Sequence, residues 1–243
     1  MAKIKGIKKR YWLLIIWAIA CIALGAREFF HVNEGESQSI GSVRNGSMKN
    51  GYIFPWRGAN YRYFSPLSYY IMDNGYAHHQ VHDAMLDAFE TLESTAPGIK
   101  WRLMETNGRN GGDMLIHRTH ENGMSVDLMI PKKNGGRQSR FWDRVGMWHY
   151  LLDFDEAGRF YLNNNVELDL EHLAKAILAM DDGARNNGLK IRKVLLRTRL
   201  LDEFYATPSG KEVRRRNIYI PQRLPYWVDR VHDDHVHVDF EMR

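Results

Sequence analysis

The chain has 243 residues and a formal net charge of +5 at pH 7. That length suits one sizeable domain with an N-terminal extension. Of the 34 basic residues, five lie in the first ten positions, which equals the whole excess over the 29 acidic residues. These five are Lys3, Lys5, Lys8, Lys9 and Arg10. The basic excess therefore describes a tail, and the composition argues against nucleic acid as a partner.

Residues 1–26 are predicted to form a basic tail and a membrane anchor or signal segment. The run Tyr11–Ala26 has sixteen uncharged residues, slightly short for the roughly 20 of a spanning helix and slightly long for a signal peptide. We favour an anchor because Ile22–Ala26 continue the run past the candidate cleavage pattern Ala18–Ala20. A cleaved signal and lipid attachment at Cys21 are the alternatives. All three place the domain in the periplasm or at the periplasmic face of the cytoplasmic membrane.

The rest of the sequence divides into a linker over 27–50 and a domain over 51–243. The linker is polar and turn-rich, with no sustained hydrophobic period. Aromatic residues are dense between Tyr52 and Tyr76, where they can form either core or a wall that binds sugar or peptide. We favour core packing, because no spacing selects a single exposed face.

Hydrophobic periodicity predicts several helices and strands in the domain. They are a helix over Gln80–Thr95, a strand over Lys100–Thr106, a helix over Leu168–Asn186, a strand over Leu189–Leu196, a short helix over Arg199–Tyr205 and a final strand entered through Tyr226–Val228. Their irregular order predicts an α+β fold with helices packed around a small antiparallel sheet. His78, His79 and His82 are predicted to be exposed residues at a helix start. His172 is predicted to lie on the surface of the long helix.

Two clusters of histidine carry the chemistry of this sequence. They contain His117, His120 and Asp127 in the first, and His232, His235 and His237 in the second. In a strand, the period of two puts His235 and His237 on one face, so both imidazoles face the same space. His120 and Asp127 add a nitrogen and a carboxylate oxygen, which suit Zn²⁺. Three protein ligands and one open water position are usual for catalytic zinc, so the clusters predict a hydrolytic zinc site.

The order His-x6-Asp, followed far downstream by His-x-His, resembles a group of zinc peptidases. The group includes lysostaphin, D-Ala-D-Ala carboxypeptidases and the hedgehog signalling domain. Within it, the sequence most resembles the penicillin-insensitive murein endopeptidases. Gly41–Gly46 resembles the Gly-Ser-x-x-Asn-Gly opening of their mature domain, and Asn107–Gly112 matches their glycine-rich approach to the first metal motif. The resemblance covers residues 41–243, with unmatched segments between the motifs.

The resemblance implies a role for each clustered residue. It implies zinc ligation by His120, Asp127 and His237, a catalytic role for His235, and contacts with the ligands or the substrate for His117 and His232. It also implies a short central sheet that carries the ligands, and an endopeptidase that hydrolyses amide bonds in the peptide cross-links of peptidoglycan. A non-catalytic zinc-containing module that binds peptidoglycan or a protein is one alternative, and a D,D- or L,D-carboxypeptidase is another.

Two features beside the clusters have open interpretations. The murein endopeptidases often have an acidic residue two positions before the metal aspartate, where this chain has Ser125. A role for an acidic residue there is therefore not carried over. Asp233 and Asp234 lie between two of the histidines, and they can either orient an imidazole or form a charged turn before the strand.

Overall fold

The chain divides into two compact units, one ending at Val32 and the other running over Asn33–Arg243. The computed structural model describes residues 9–114 and 117–243. The first unit contains helix α1, Lys9–Phe30. No helix among the described residues combines the length and the apolar character needed to cross a membrane. The anchor predicted over 1–26 is therefore not supported by the described helices, and its first eight residues lie outside the described part.

The second unit alternates helices and strands. The helices are α2 (His79–Thr95), α3 (Leu170–Asn186), α4 (Leu201–Ala206), α5 (Pro208–Arg215) and α6 (Tyr226–Val231). The strands are β1 (Gln38–Ser42), β2 (Asn45–Lys49), β3 (Tyr52–Ile53), β4 (Tyr61–Tyr63), β5 (Tyr76–Ala77), β6 (Trp101–Leu103), β7 (Ser125–Met129), β8 (Lys132–Asn134), β9 (Arg137–Gln138), β10 (Arg159–Phe160), β11 (Asn163–Leu168), β12 (Leu189–Leu195) and β13 (His235–Met242). Short 3-10 turns cover Trp142–Arg144, Gly146–Leu151 and Thr198–Leu200, and a π turn covers Leu67–Ile71.

A five-stranded sheet forms the centre of this unit, with the strand order β12-β13-β7-β6-β4. The first four strands pair antiparallel, whereas β4 runs parallel to β6. Every residue of β7 is buried, and so are the first six residues of β13. The α+β class and the small sheet predicted from the sequence are therefore confirmed, although the sheet is mixed at the β4 edge.

Helices α2 and α3 pack closely against each other. A methyl group at Gly183 of α3 would overlap the carbonyl oxygen of Ala84 in α2, so the two backbones approach as near as glycine allows. Helix α3 begins at an Asp169 cap, whose side chain accepts from the backbone N–H of His172. The His172 ring also forms a hydrogen bond with the Asp169 side chain, so His172 helps to fix the first turn of α3.

The predicted helices and strands are present with boundaries shifted by at most three residues, with one exception. Tyr226–Val228 belongs to helix α6 and not to the approach of a strand. The reason lies in Pro225, which precedes the helix with a φ already close to the helical value. The aromatic residues between Tyr52 and Tyr76 are largely buried, which confirms the prediction of core packing.

Two further predictions need correction. Residues 38–49 lie in the predicted linker over 27–50, but they form the hairpin β1–β2 within the second unit. Its strands are polar and mostly exposed, so they lack the apolar alternation that marks a strand. His78 and His82 are buried, not exposed. The His82 ring packs 4.8 Å from the Phe54 ring, so an aromatic residue distant in sequence covers the start of α2.

Candidate metal centre

Asp127 and His237 meet because their strands are neighbours in the central sheet. Strand β13 pairs antiparallel with β7, and His237 lies directly opposite Asp127. Residues opposite each other in an antiparallel pair project from the same face of the sheet. His237 Nδ1 and Asp127 Oδ1 are 2.9 Å apart. The register of one strand pair therefore assembles two of the three predicted ligands.

His120 reaches the same point from the loop that precedes β7. Its backbone has a φ of +72°, in the left-handed region that residues other than glycine rarely adopt. Neighbouring segments hold this loop: Gly123 N donates to Asn107 Oδ1 at 2.8 Å, and Gly46 N donates to Glu121 Oε2 at 3.0 Å. Such a backbone conformation persists only where its surroundings determine it, and here it directs an imidazole at the sheet.

Three donor atoms converge in this way: His120 Nε2, Asp127 Oδ1 and His237 Nδ1. His237 Nδ1 lies 2.9 Å from each of the other two, and these two are 3.1 Å apart. Ligands about 2.0–2.1 Å from a tetrahedral zinc ion lie about 3.3 Å from one another. The three atoms, which we call the tripod, therefore have the spacing of a slightly contracted tetrahedral ligand set.

Asp239, which the sequence analysis did not single out, orients His237 from the side opposite the tripod. Asp239 lies two positions further along β13, and His237 Nε2–H donates to its Oδ1 at 2.7 Å. The Ser125 hydroxyl donates to the same oxygen at 2.6 Å, and Lys193 Nζ lies 3.1 Å from Oδ2. With a proton fixed on Nε2, Nδ1 is the nitrogen that would ligate a metal ion after giving up its own proton.

Electrostatics keep the tripod carboxylate charged. Burial raises the pKa of Asp127, but the imidazoles of His120 and His237 outweigh it and hold the pKa well below its usual range. Burial lowers the pKa of His237, yet its hydrogen bonds to Asp127 and Asp239 raise the pKa to about 9. The tripod therefore attracts positive charge, and a metal ion would compete there with a proton.

His117 lies beside the tripod, with its Nδ1 3.9 Å from Asp127 Oδ2. Its Nε2 lies 3.3 Å from the Tyr150 hydroxyl and 4.0 Å from Glu105 Oε1. Glu105 is a second residue that the sequence analysis missed. Its carboxyl is buried, neither oxygen has a hydrogen-bond partner among the described residues, and burial together with Asp127 raises its pKa well above the usual range. A negatively charged residue inside the predicted strand Lys100–Thr106 was the available signal.

His232 and His235 complete the cluster. The ring centroids of His232 and His235 are 5.1 Å apart, and those of His232 and His237 are 6.1 Å apart. At the C-terminal end of α6, His232 Nδ1–H donates to the carbonyl of Val228 within the helix. Burial, followed by the neighbouring His235 and His237, lowers the pKa of His232 to about 3, so its imidazole is neutral. All six residues predicted from the two motifs therefore lie in one connected group.

This group has the chemistry to hold a metal ion. His117, His120 and Asp127 each offer a donor atom within 4.8 Å of the others, and the His237 nitrogen lies against two of them. His149, Asp234 and His235 form a second such group. Comparison with known proteins does not assign a family, since no protein-family model and no curated protein matches the sequence.

Proposed function

We propose that this chain is a zinc-dependent endopeptidase that hydrolyses amide bonds in the peptide cross-links of peptidoglycan. The observation that carries the proposal is the tripod, whose three donor atoms lie 2.9–3.1 Å from one another. His235 stands two residues before a tripod residue on the same strand. Peptidoglycan as the substrate rests on the resemblance of the three sequence motifs to the murein endopeptidases.

The tripod residues His120, Asp127 and His237 would hold the ion. Zn²⁺ bound in this way supplies a water of lowered pKa and polarises the carbonyl of the substrate. Asp239 keeps His237 in the ligating tautomer through the 2.7 Å hydrogen bond at Nε2. Two neutral imidazoles and one carboxylate leave a single negative charge on the ligand set, which a divalent ion more than offsets.

His235 would move the proton of the reaction. A positioned imidazole can accept a proton from the attacking water and return it to the nitrogen of the leaving amine. As an imidazolium, it can also stabilise the negative charge that develops on the carbonyl oxygen. A module that only binds its partner has no use for such a group, so His235 favours an enzyme over the non-catalytic alternative.

The proposed substrate lies outside the cytoplasm, and this agrees with the export predicted from the N-terminal sequence. The domain would face the periplasm, either held at the cytoplasmic membrane through residues 1–26 or released after cleavage. Peptidoglycan is then the proposed partner, and nucleic acid is not.

The deciding experiment incubates the purified protein with cross-linked muropeptides and analyses the products by mass spectrometry. We expect the cross-linked dimers to become monomers, with one water gained for each bond cut. A chelator should stop the reaction, and added zinc should restore it. Release of a single terminal amino acid would instead identify a carboxypeptidase. Co-sedimentation with peptidoglycan without any product would identify a binding module.

A further inference from the structure

We propose that Asp234 is a positioning residue, which Lys132 and His149 hold in place so that it orients the His235 imidazole. The inference rests on the proposed function, because it assigns how His235 is prepared for proton transfer. The sequence alone did not distinguish between this role for Asp234 and a place in a charged turn before the strand.

Asp234 forms the centre of a buried network. His235 Nδ1–H donates to its Oδ1 at 3.3 Å, and His149 Nδ1–H donates to the same oxygen at 2.9 Å. Lys132 Nζ donates to the other carboxylate oxygen at 2.9 Å. Asp234, Lys132 and His149 are each at most 2 % exposed. Burial raises the pKa of Asp234, but Lys132 and His149 outweigh it and hold the pKa well below its usual range.

Three interactions fix Asp234, one through its backbone and two through its carboxylate. The Lys132 ammonium compensates the buried negative charge, and the backbone of Ile130 donates to the Asp234 carbonyl at 2.9 Å. His149 holds the shared oxygen from the side, and its ring lies 5.3 Å from that of His235, nearly perpendicular to it. The carboxylate is therefore a fixed acceptor with an orientation that does not depend on His235.

A fixed acceptor at Nδ1 selects one tautomer of His235. The proton stays on Nδ1, so Nε2 is the nitrogen that takes a proton from water and later delivers it to the leaving amine. Without the carboxylate, the ring can rotate and the proton can move to Nε2, which leaves the wrong nitrogen free. The reaction would then lose a positioned base, although its zinc ligands would remain.

The same residues could be interpreted as a second cation site, since one donor atom from each of His149, Asp234 and His235 lies within 4.8 Å of the others. The ion pair with Lys132 argues against that interpretation, because Lys132 Nζ already lies 2.9 Å from Asp234 and would repel a second cation.

The test compares Asp234→Asn with Asp233→Asn in the full-length, zinc-loaded protein. Asp233 is the matched control, because its buried carboxylate accepts from Arg199 and from the Phe154 backbone and does not contact His235. We expect Asp234→Asn to keep its zinc and its KM and to lose about 10²-fold in kcat, the scale of a positioned proton-transfer group. Asp233→Asn should stay within a few-fold of the wild type.

A second measurement reads the tautomer without using activity. Nitrogen NMR of ¹⁵N-histidine-labelled protein should place the His235 proton on Nδ1 in the wild type and on Nε2, or on both nitrogens, in Asp234→Asn. If that variant does not fold, His149→Phe removes one of the bonds that hold the carboxylate and should shift the tautomer and kcat in the same direction.

Three results would overturn the positioning role: a wild-type proton on Nε2, an unchanged kcat in folded Asp234→Asn, or loss of zinc from that variant. Two zinc ions per chain would establish the cation site instead. If the wild type cuts no muropeptide, the proposed function fails, and the tautomer measurement still decides whether Asp234 orients His235.

Discussion

Asp239→Asn tests the arrangement of the metal centre most directly, because it changes one atom of the group that orients a ligand. The carboxylate accepts from His237 Nε2–H at 2.7 Å, and Lys193 lies 3.1 Å from its second oxygen. An asparagine can still accept from Nε2, but it does so as a neutral group, and its NH₂ then faces the lysine. Replacing such a partner of a ligating histidine weakens metal binding by about 10- to 100-fold, or about 1.4–2.7 kcal/mol.

We expect Asp239→Asn to raise the zinc dissociation constant by about 10-fold and Asp239→Ala to raise it by about 100-fold. Competition against a chelating dye measures both constants. Ser125→Ala is the matched control, because it removes only the 2.6 Å hydrogen bond to Asp239 and leaves the bond between Asp239 and His237 in place. A folded Asp239→Asn with wild-type affinity would refute the reasoning, since strand pairing alone would then orient His237.

Four further predictions concern the tripod ligands, His235, the contact between α2 and α3, and the N-terminal segment. Alanine at each tripod residue should remove bound zinc and hydrolysis together, as metal analysis of the purified variants would show; full occupancy in all three would contradict the ligand assignment. His235→Ala should keep the metal and lose about 10²-fold in kcat, and loss of zinc from it but not from His237→Ala would exchange the two roles. Gly183→Ala should lower the free energy of unfolding by about 1–2 kcal/mol, measured by urea titration. The reason is that overlap of the new methyl group with the Ala84 carbonyl outweighs the gain in helix propensity. An unchanged unfolding midpoint would show that α2 and α3 can move apart. If residues 1–26 anchor the chain, it should stay in the membrane fraction at high salt, because apolar insertion is not screened; release by salt would contradict an anchor.

The three tripod residues were expected as ligands from the resemblance to the zinc peptidases, whereas periodicity alone put only His235 and His237 on one strand face. A period of two puts alternate residues of a strand on one face, and the same rule extends from His237 to Asp239, so the orienting carboxylate could have been predicted as well. The residues that the resemblance implied as ligands then met through strand pairing. His120 needed more than periodicity, because a left-handed backbone held by Asn107 and Gly46 brings it to the sheet.

The network around Asp234 could not be predicted in this way. Lys132 lies 102 residues before Asp234, and a lysine in a short polar stretch usually indicates a solvated surface. His149 lies in a 3-10 turn, for which hydrophobic periodicity gives no signal. The hairpin β1–β2 escaped prediction for a related reason, since its strands are exposed and carry no apolar face.

The buried carboxylates of this region differ in whether a lysine compensates their charge. This difference distinguishes the carboxylate that can ligate a metal from those that orient the histidines. Asp234 has Lys132 at 2.9 Å and Asp239 has Lys193 at 3.1 Å, so each already has a cation that compensates its charge. The ion-pair partners of Asp127 among the described residues are histidines alone. A buried carboxylate without a lysine or arginine is costly unless another cation compensates it. A divalent ion at the tripod would provide that compensation.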